Sequence, residues 1–267
     1  MDSYGDALFE LDFEDTELAR STINDWVEDM TQKRITNLIK QGALDPATRM
    51  ILTNTVYFLG KWKHPFDESK TRDDEFVAFN SKKVIVSMMH QENEFEYIED
   101  NDVQVVHLPY STSDQNLSMM IILPKDPEGF EMVQEMMTLE RVENWSSNLI
   151  KRNVIVNIPR FEIEYFSNLK QYLQEMGISD AFSIERADFS KITTNSGFFL
   201  GEVIHRAFFD VNESGTEAAV ATAVMILGEA FDSEIPRFNA NHPFIFLIKD
   251  NLTDTILFLG RIMNPSI

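Results

Sequence analysis

From Glu213 to Ala223 the sequence runs Glu-Ser-Gly-Thr-Glu-Ala-Ala-Val-Ala-Thr-Ala, and this stretch narrows the choice of fold more than any other. Gly215 is a pivot, since glycine alone tolerates nearly any backbone angle. Beyond it Ala218, Ala219, Ala221 and Ala223 are small, whereas Thr216, Val220, Thr222 and Val224 are β-branched. At a period of two, Thr216, Ala218, Val220, Thr222, Val224 and Ile226 share one face. Glu217, Ala219, Ala221, Ala223, Met225 and Leu227 share the other. Such side chains suit a strand buried in a sheet. Yet the next residues, Gly228-Glu-Ala-Phe-Asp-Ser233, have the composition of an exposed loop. Strand chemistry hung on a glycine hinge implies a conformational switch.

The remaining pattern describes a single domain of 267 residues, without internal repeats, low-complexity tracts or Gly/Ser linkers. Residues 7–13 alternate weakly and predict a strand. Leu18, Ile23, Trp26, Val27, Met30, Ile35, Leu38 and Ile39 recur at helical spacing and predict a helix over 16–40, capped by Asp15 or Thr16, with Gly42 beyond its end. The β-branched and aromatic run from Met50 to Gly60 predicts a buried strand. Several short strands are expected over 74–125, with turns at Asn80-Ser81, Glu99 to Asp102 and Ser111 to Gln115. Helices follow at about 128–150 and 167–177, and strands at 153–165, 198–213 and 243–261. This succession is α+β, with large antiparallel sheets and covering helices.

Charge and chemistry exclude several functions. A net charge of −21 argues against nucleic acid and anionic membrane as partners. The chain has no cysteine, hence neither a disulfide framework nor a thiol nucleophile. No segment is long and apolar enough to span a membrane as a helix, and the acidic start, Met1-Asp-Ser-Tyr-Gly-Asp6, is unlike a signal peptide. Asn116, Asn144, Asn212 and Asn251 open Asn-x-Ser/Thr triplets, which matter only in a secreted chain. There is no Gly-x-Ser-x-Gly elbow or phosphate-binding loop, and His64, His90, His107, His205 and His242 lack metal-ligand spacing. The expectation is a protein that is not an enzyme and uses no cofactor and no metal.

The hinge resembles that of serpins, the protease inhibitors that trap their target by inserting a reactive-centre loop into a sheet. Other stretches match in the same order: Thr22-Ile-Asn-Asp-Trp-Val-Glu-Asp-Met-Thr31, Asn54-Thr-Val-Tyr-Phe-Leu-Gly-Lys-Trp62, Phe209-Asp-Val-Asn-Glu-Ser-Gly-Thr216, Phe238-Asn-Ala-Asn-His-Pro-Phe244 and Phe258-Leu-Gly-Arg-Ile-Met-Asn-Pro265. The resemblance runs from about residue 7 to the end and has an invertebrate character. It implies a chain lacking roughly the first quarter of the serpin fold, with the reactive loop at about 214–236. The hinge then points to an inhibitor acting as a suicide substrate, and the missing quarter to a non-inhibitory binding protein or an inactive truncated fragment as the alternative.

The resemblance also assigns roles. The hinge is Glu213, Gly215, Thr216, Glu217, Ala218, Ala219, Val220, Ala221 and Thr222, with no proline and no charge at 216 or 218 to oppose insertion. Counting forward from Gly215 puts the scissile bond at Glu229-Ala230, which implies an acidic-specific protease. Counting back from Phe238 gives Ala230-Phe231, an elastase-like preference, and a slip to Phe231-Asp232 implies a chymotrypsin-like enzyme. Glu213 and Arg160 are expected to pair where the loop enters the sheet, close to Trp62. His205 is expected to bond Asn54 where the central strands must part. The partner is then a target protease of serine or cysteine type, met by a monomer. The compartment is extracellular if a signal peptide precedes this chain, and otherwise cytoplasmic.

Overall fold

The computed structural model describes residues 9–58, 60–111, 116–193, 197–214 and 235–266. They fall into two compact units. One lies within Met1–Tyr57 and Ile163–Phe209, the other within Phe58–Glu162 and Asp210–Ile267.

The first unit is built around a three-stranded sheet of β1 (Ile51–Tyr57), β8 (Glu202–Val211) and β7 (Phe161–Asn168), with β8 in the middle. β1 and β8 run parallel, Ile51 opposite Glu202 through to Tyr57 opposite Phe208. Helix α1 (Thr16–Met30) is capped by Asp15, whose carboxylate accepts from Leu18 N at 3.0 Å. It ends ten residues earlier than its apolar spacing predicts. Gln32 and Lys33 turn into the left-handed region, at φ 51° and 66°. The buried Thr31 hydroxyl then donates to Val27 O and accepts from Ile35 N. The apolar residues continue to face inward without a helix, and Val27, Ile35, Leu38 and Ile39 pack with Ile204 and Phe208. Asn24 stitches the segment back: its amide donates to Ile39 O at 2.9 Å and accepts from Ile39 N at 2.8 Å.

Three further expectations for this unit are corrected. Residues 9–12 form no strand and 13–14 are a turn. β1 is half-buried rather than buried, because among the described residues only one of its faces is covered; Leu52, on the other, is 55% exposed. β-branched composition signals a strand but not how many of its faces are packed. The predicted helix at 167–177 shortens to α4 (Lys170–Glu175).

The second unit is a large sheet in the order β11 (Ile256–Ile262), β10 (Phe244–Asp250), β5 (Leu117–Pro124), β4 (Val103–Pro109), β3 (Lys83–Glu99), β6 (Ile150–Pro159) and β9 (Arg237–Asn239), with β2 (Arg72–Val77) on the free part of β3. β3 (Lys83–Glu99) is one continuous strand of 17 residues, where short strands were expected. Its length lets it pair with β2, with β4 (Val103–Pro109) and with β6 (Ile150–Pro159). β5 (Leu117–Pro124) and β10 (Phe244–Asp250) are buried almost throughout, and β11 (Ile256–Ile262) closes one edge. Most ladders are antiparallel; β1–β8 and the pairing of β9 (Arg237–Asn239) with β6 are parallel.

The helix expected over 128–150 is two helices, α2 (Phe130–Glu135) and α3 (Leu139–Ser147). Thr138 is extended and its hydroxyl accepts from Arg141 N, an N-cap that restarts the chain between them. Phe130, Val133, Val142 and Trp145 then reach Val105, Met120, Ile122, Ile245 and Leu247 in one core.

Candidate functional site

Glu213 is the most unusual side chain in the second unit, a carboxylate only 3% exposed in a protein of net charge −21. Burying a charge is costly unless it is paired and hydrogen-bonded. Arg160, from the turn between β6 and β7, donates Nε to both carboxylate oxygens, at 2.7 and 2.6 Å. Thr71, just ahead of β2, donates its hydroxyl to Glu213 Oε1. Burial pushes the Glu213 carboxyl upward, but the bonds from Arg160 and Thr71 outweigh it and hold the group below its ordinary value of 4.5. The same hydrogen bond raises the Arg160 guanidinium. Arg160 is 45% exposed, so the pair has a buried anionic end and a wet cationic one.

The backbone around Glu213 is held as firmly. Phe66 N donates to Glu213 O at 2.8 Å and Trp62 N to Ser214 O at 3.0 Å. The Trp62 indole donates Nε1 to Asn212 O at 2.9 Å. That indole is itself fixed by stacking on Tyr110, with centroids 4.5 Å apart and planes 10° from parallel. Gly60 permits the arrangement, since a Cβ there would lie 2.6 Å from the Tyr110 ring. Asn212, Glu213 and Ser214 are therefore clamped at the threshold of the expected hinge. Gly215, Thr216, Glu217, Ala218, Ala219, Val220, Ala221 and Thr222, and the scissile-bond candidates Glu229, Ala230 and Phe231, lie outside the described residues.

In the first unit, Asn54 and His205 face each other across the parallel β1–β8 pair. Asn54 Oδ1 and His205 Nδ1 are 2.8 Å apart. An amide oxygen only accepts, so Nδ1 carries the proton. The bond is exposed, beside the Tyr165 ring at 6.3 Å. It is the sort of contact that two strands can give up cheaply, because water replaces it.

Sequence reasoning missed Thr71, whose role comes from the third dimension and has no motif. It also missed a trio on three adjacent strands: Glu96 (β3), His107 (β4) and Ser118 (β5). Glu96 Oε2 and His107 Nδ1 are 2.7 Å apart, and His107 Nε2 bonds the Ser118 hydroxyl. Cross-strand register alone creates it. Ser118 is fully buried and its hydroxyl also bonds Asn251 Oδ1 at 2.7 Å, which ties sheet to turn and keeps the oxygen from any substrate. The hydrogen bond from His107 holds the Glu96 carboxyl below its ordinary range, though burial opposes it.

The comparisons with known proteins agree with this architecture. The family model described as "Serpin (serine protease inhibitor)" matches residues 1–265. Human serpin B8 is 41% identical over 98% of this chain and 70% of its own length. Mouse antithrombin-III is 37% identical over 99% of this chain and 57% of its own, and the horse leukocyte elastase inhibitor 39% over 98% and 71%. The chain thus spans between about half and three quarters of the length of these relatives. Among solved structures, human thyroxine-binding globulin in complex with thyroxine superposes with a TM-score of 0.85 at 32% identity, covering 97% of this chain and 67% of that one. With these matches over the whole sequence and the fold to support them, the chain belongs to the serpin family.

Proposed function

We propose that this protein is a single-domain suicide inhibitor of a serine or cysteine protease. The protease nucleophile attacks the carbonyl carbon of the scissile bond, Glu229-Ala230 or its neighbour Ala230-Phe231. The new α-amine leaves with the C-terminal part, and an acyl-enzyme remains. The segment from Thr216 then inserts between β1 and β8, carrying the protease away before water completes hydrolysis. All bond chemistry belongs to the protease; the inhibitor contributes strain released by strand addition, as in serpins generally. The observation that carries this reading is the buried Glu213, held by Arg160 and Thr71 immediately before Gly215 and its insertion-competent run. The family description, serine protease inhibitor, and the relative named as a leukocyte elastase inhibitor support it.

The test is incubation with a panel of acidic-specific, elastase-like and chymotrypsin-like proteases, followed by denaturing electrophoresis and intact mass. A covalent complex with release of the C-terminal peptide is expected, and the peptide mass identifies the bond. Clean cleavage without a complex sinks the proposal. A second reading, a binding protein that never inserts its loop, is favoured by one observation: the thyroxine-binding globulin structures, which resemble this chain closely and hold a small ligand.

A further inference from the structure

A groove of about 410 Å³ in the second unit belongs to neither the anchor nor the strand pair described above. Its floor is Met88, His90 and Asn157; its rim is Lys70, Arg72, Asp73 and Asp74. The sheet register explains the grouping. Arg72 lies opposite Met88, and His90 two residues along the same strand lies opposite Asn157, so these side chains share a face. His90 Nδ1 is 2.8 Å from Asn157 Oδ1, an acceptor, which leaves Nε2 for another partner. Acidic residues outnumber basic ones 44 to 23 in this chain. Even so, neither Lys70 nor Arg72 is ion-paired among the described residues. Of the two rim carboxylates, Asp74 already accepts from Glu75 N at 2.8 Å through one oxygen.

We propose that this groove binds a small zwitterion, an amino acid or short peptide. The Arg72 guanidinium is the natural partner of a carboxylate, since its fork matches two oxygens at once. Lys70 and His90 Nε2 flank it. The free oxygen of Asp74, which lies opposite Val86 on the same face as Arg72 and Met88, takes the ammonium group and opposes any polyanion. Met88 offers an apolar surface for the aliphatic portion. The volume lies at the lower end of small-molecule sites, which suits a ligand of this size.

The experiment is a titration of the full chain with glycylglycine, and separately with inorganic phosphate at matched ionic strength, following the His90 ring signals by NMR. Saturable shifts with glycylglycine and none with phosphate are expected. Arg72→Ala weakens binding about tenfold, the loss of one charge-assisted contact. Asp74→Asn weakens it as well; both positions are exposed, and near-ultraviolet circular dichroism verifies the fold of each variant. Equal binding of phosphate, or tighter binding after Asp74 is neutralised, overturns the zwitterion in favour of a simple anion site. No saturation with either probe overturns the site itself. Protease inhibition plays no part in the titration, so its outcome is independent of the inhibitory reading.

Discussion

The anchor at Glu213 and the bond between Asn54 and His205 hold backbone segments together by opposite means. The first is a charged cluster with a buried carboxylate, three side-chain hydrogen bonds and two backbone bonds beside it. The second is one exposed contact between an amide and an imidazole. Removing one member of a buried pair strands the other in low dielectric, whereas an exposed bond is exchanged for water. The contrast suits the proposed inhibitory mechanism, in which the loop must not insert early and the β1–β8 pair must open once the loop is cut.

Substitutions sharpen this contrast. Trp62→Ala removes the Tyr110 stack and the bond to Asn212 O, and is expected to destabilise the fold by about 3–5 kcal/mol in urea unfolding. Arg160→Met leaves Glu213 buried and uncompensated. Because Arg160 is half in water, the expected loss is about 2–3 kcal/mol, below that of a fully buried pair. Arg160→Met/Glu213→Leu is expected to recover most of it, and a double variant no better than the single would refute the stranded-charge explanation. At the small end, His205→Ala or Asn54→Ala is expected to change stability by less than about 1 kcal/mol. Should either match Arg160→Met, the comparison fails.

Acid acts on the anchor in a defined direction. The folded Glu213 pKa lies below its unfolded value, so its contribution is present above that value of 4.5 and is lost as pH falls through the lowered one. His242, buried and pushed below 6.5 by desolvation, acts earlier. Its unfolded form takes up a proton that the folded form resists, so stability declines as pH falls below 6.5. Unfolding curves from pH 7 to pH 3 are expected to show a first decline in His242's window, absent in His242→Gln, and a second below 4.5, to which the lowered Glu96 and Asp100 also contribute and which is therefore reduced in Glu213→Gln.

Much of this molecule was legible in the sequence, for specific reasons. Glu213, Arg160, Trp62, Asn54 and His205 were singled out through their motifs, and the structure brings Arg160 to Glu213 and His205 to Asn54. Thr71 was invisible because its role depends on where β2 begins relative to a residue 142 positions away. The helix over 16–40 was overextended because Ile35, Leu38 and Ile39 keep helical spacing while Thr31 and Asn24 fold the chain back. Periodicity reports which side chains face inward, and a packed turn satisfies it as well as a helix. The open face of β1 was missed because β-branched residues suit a strand packed on one side or both.

The most direct test of the account is thermal unfolding before and after the loop is cut by a non-target protease near residues 229–231. Insertion of the segment from Thr216 between β1 and β8 predicts a large upward shift in Tm for the cleaved protein, and Thr216→Arg is expected to abolish that shift, since an unpaired charge resists burial by several kcal/mol. An unchanged Tm after clean cleavage would contradict the account and leave the loop an exposed segment that the sheet does not accept.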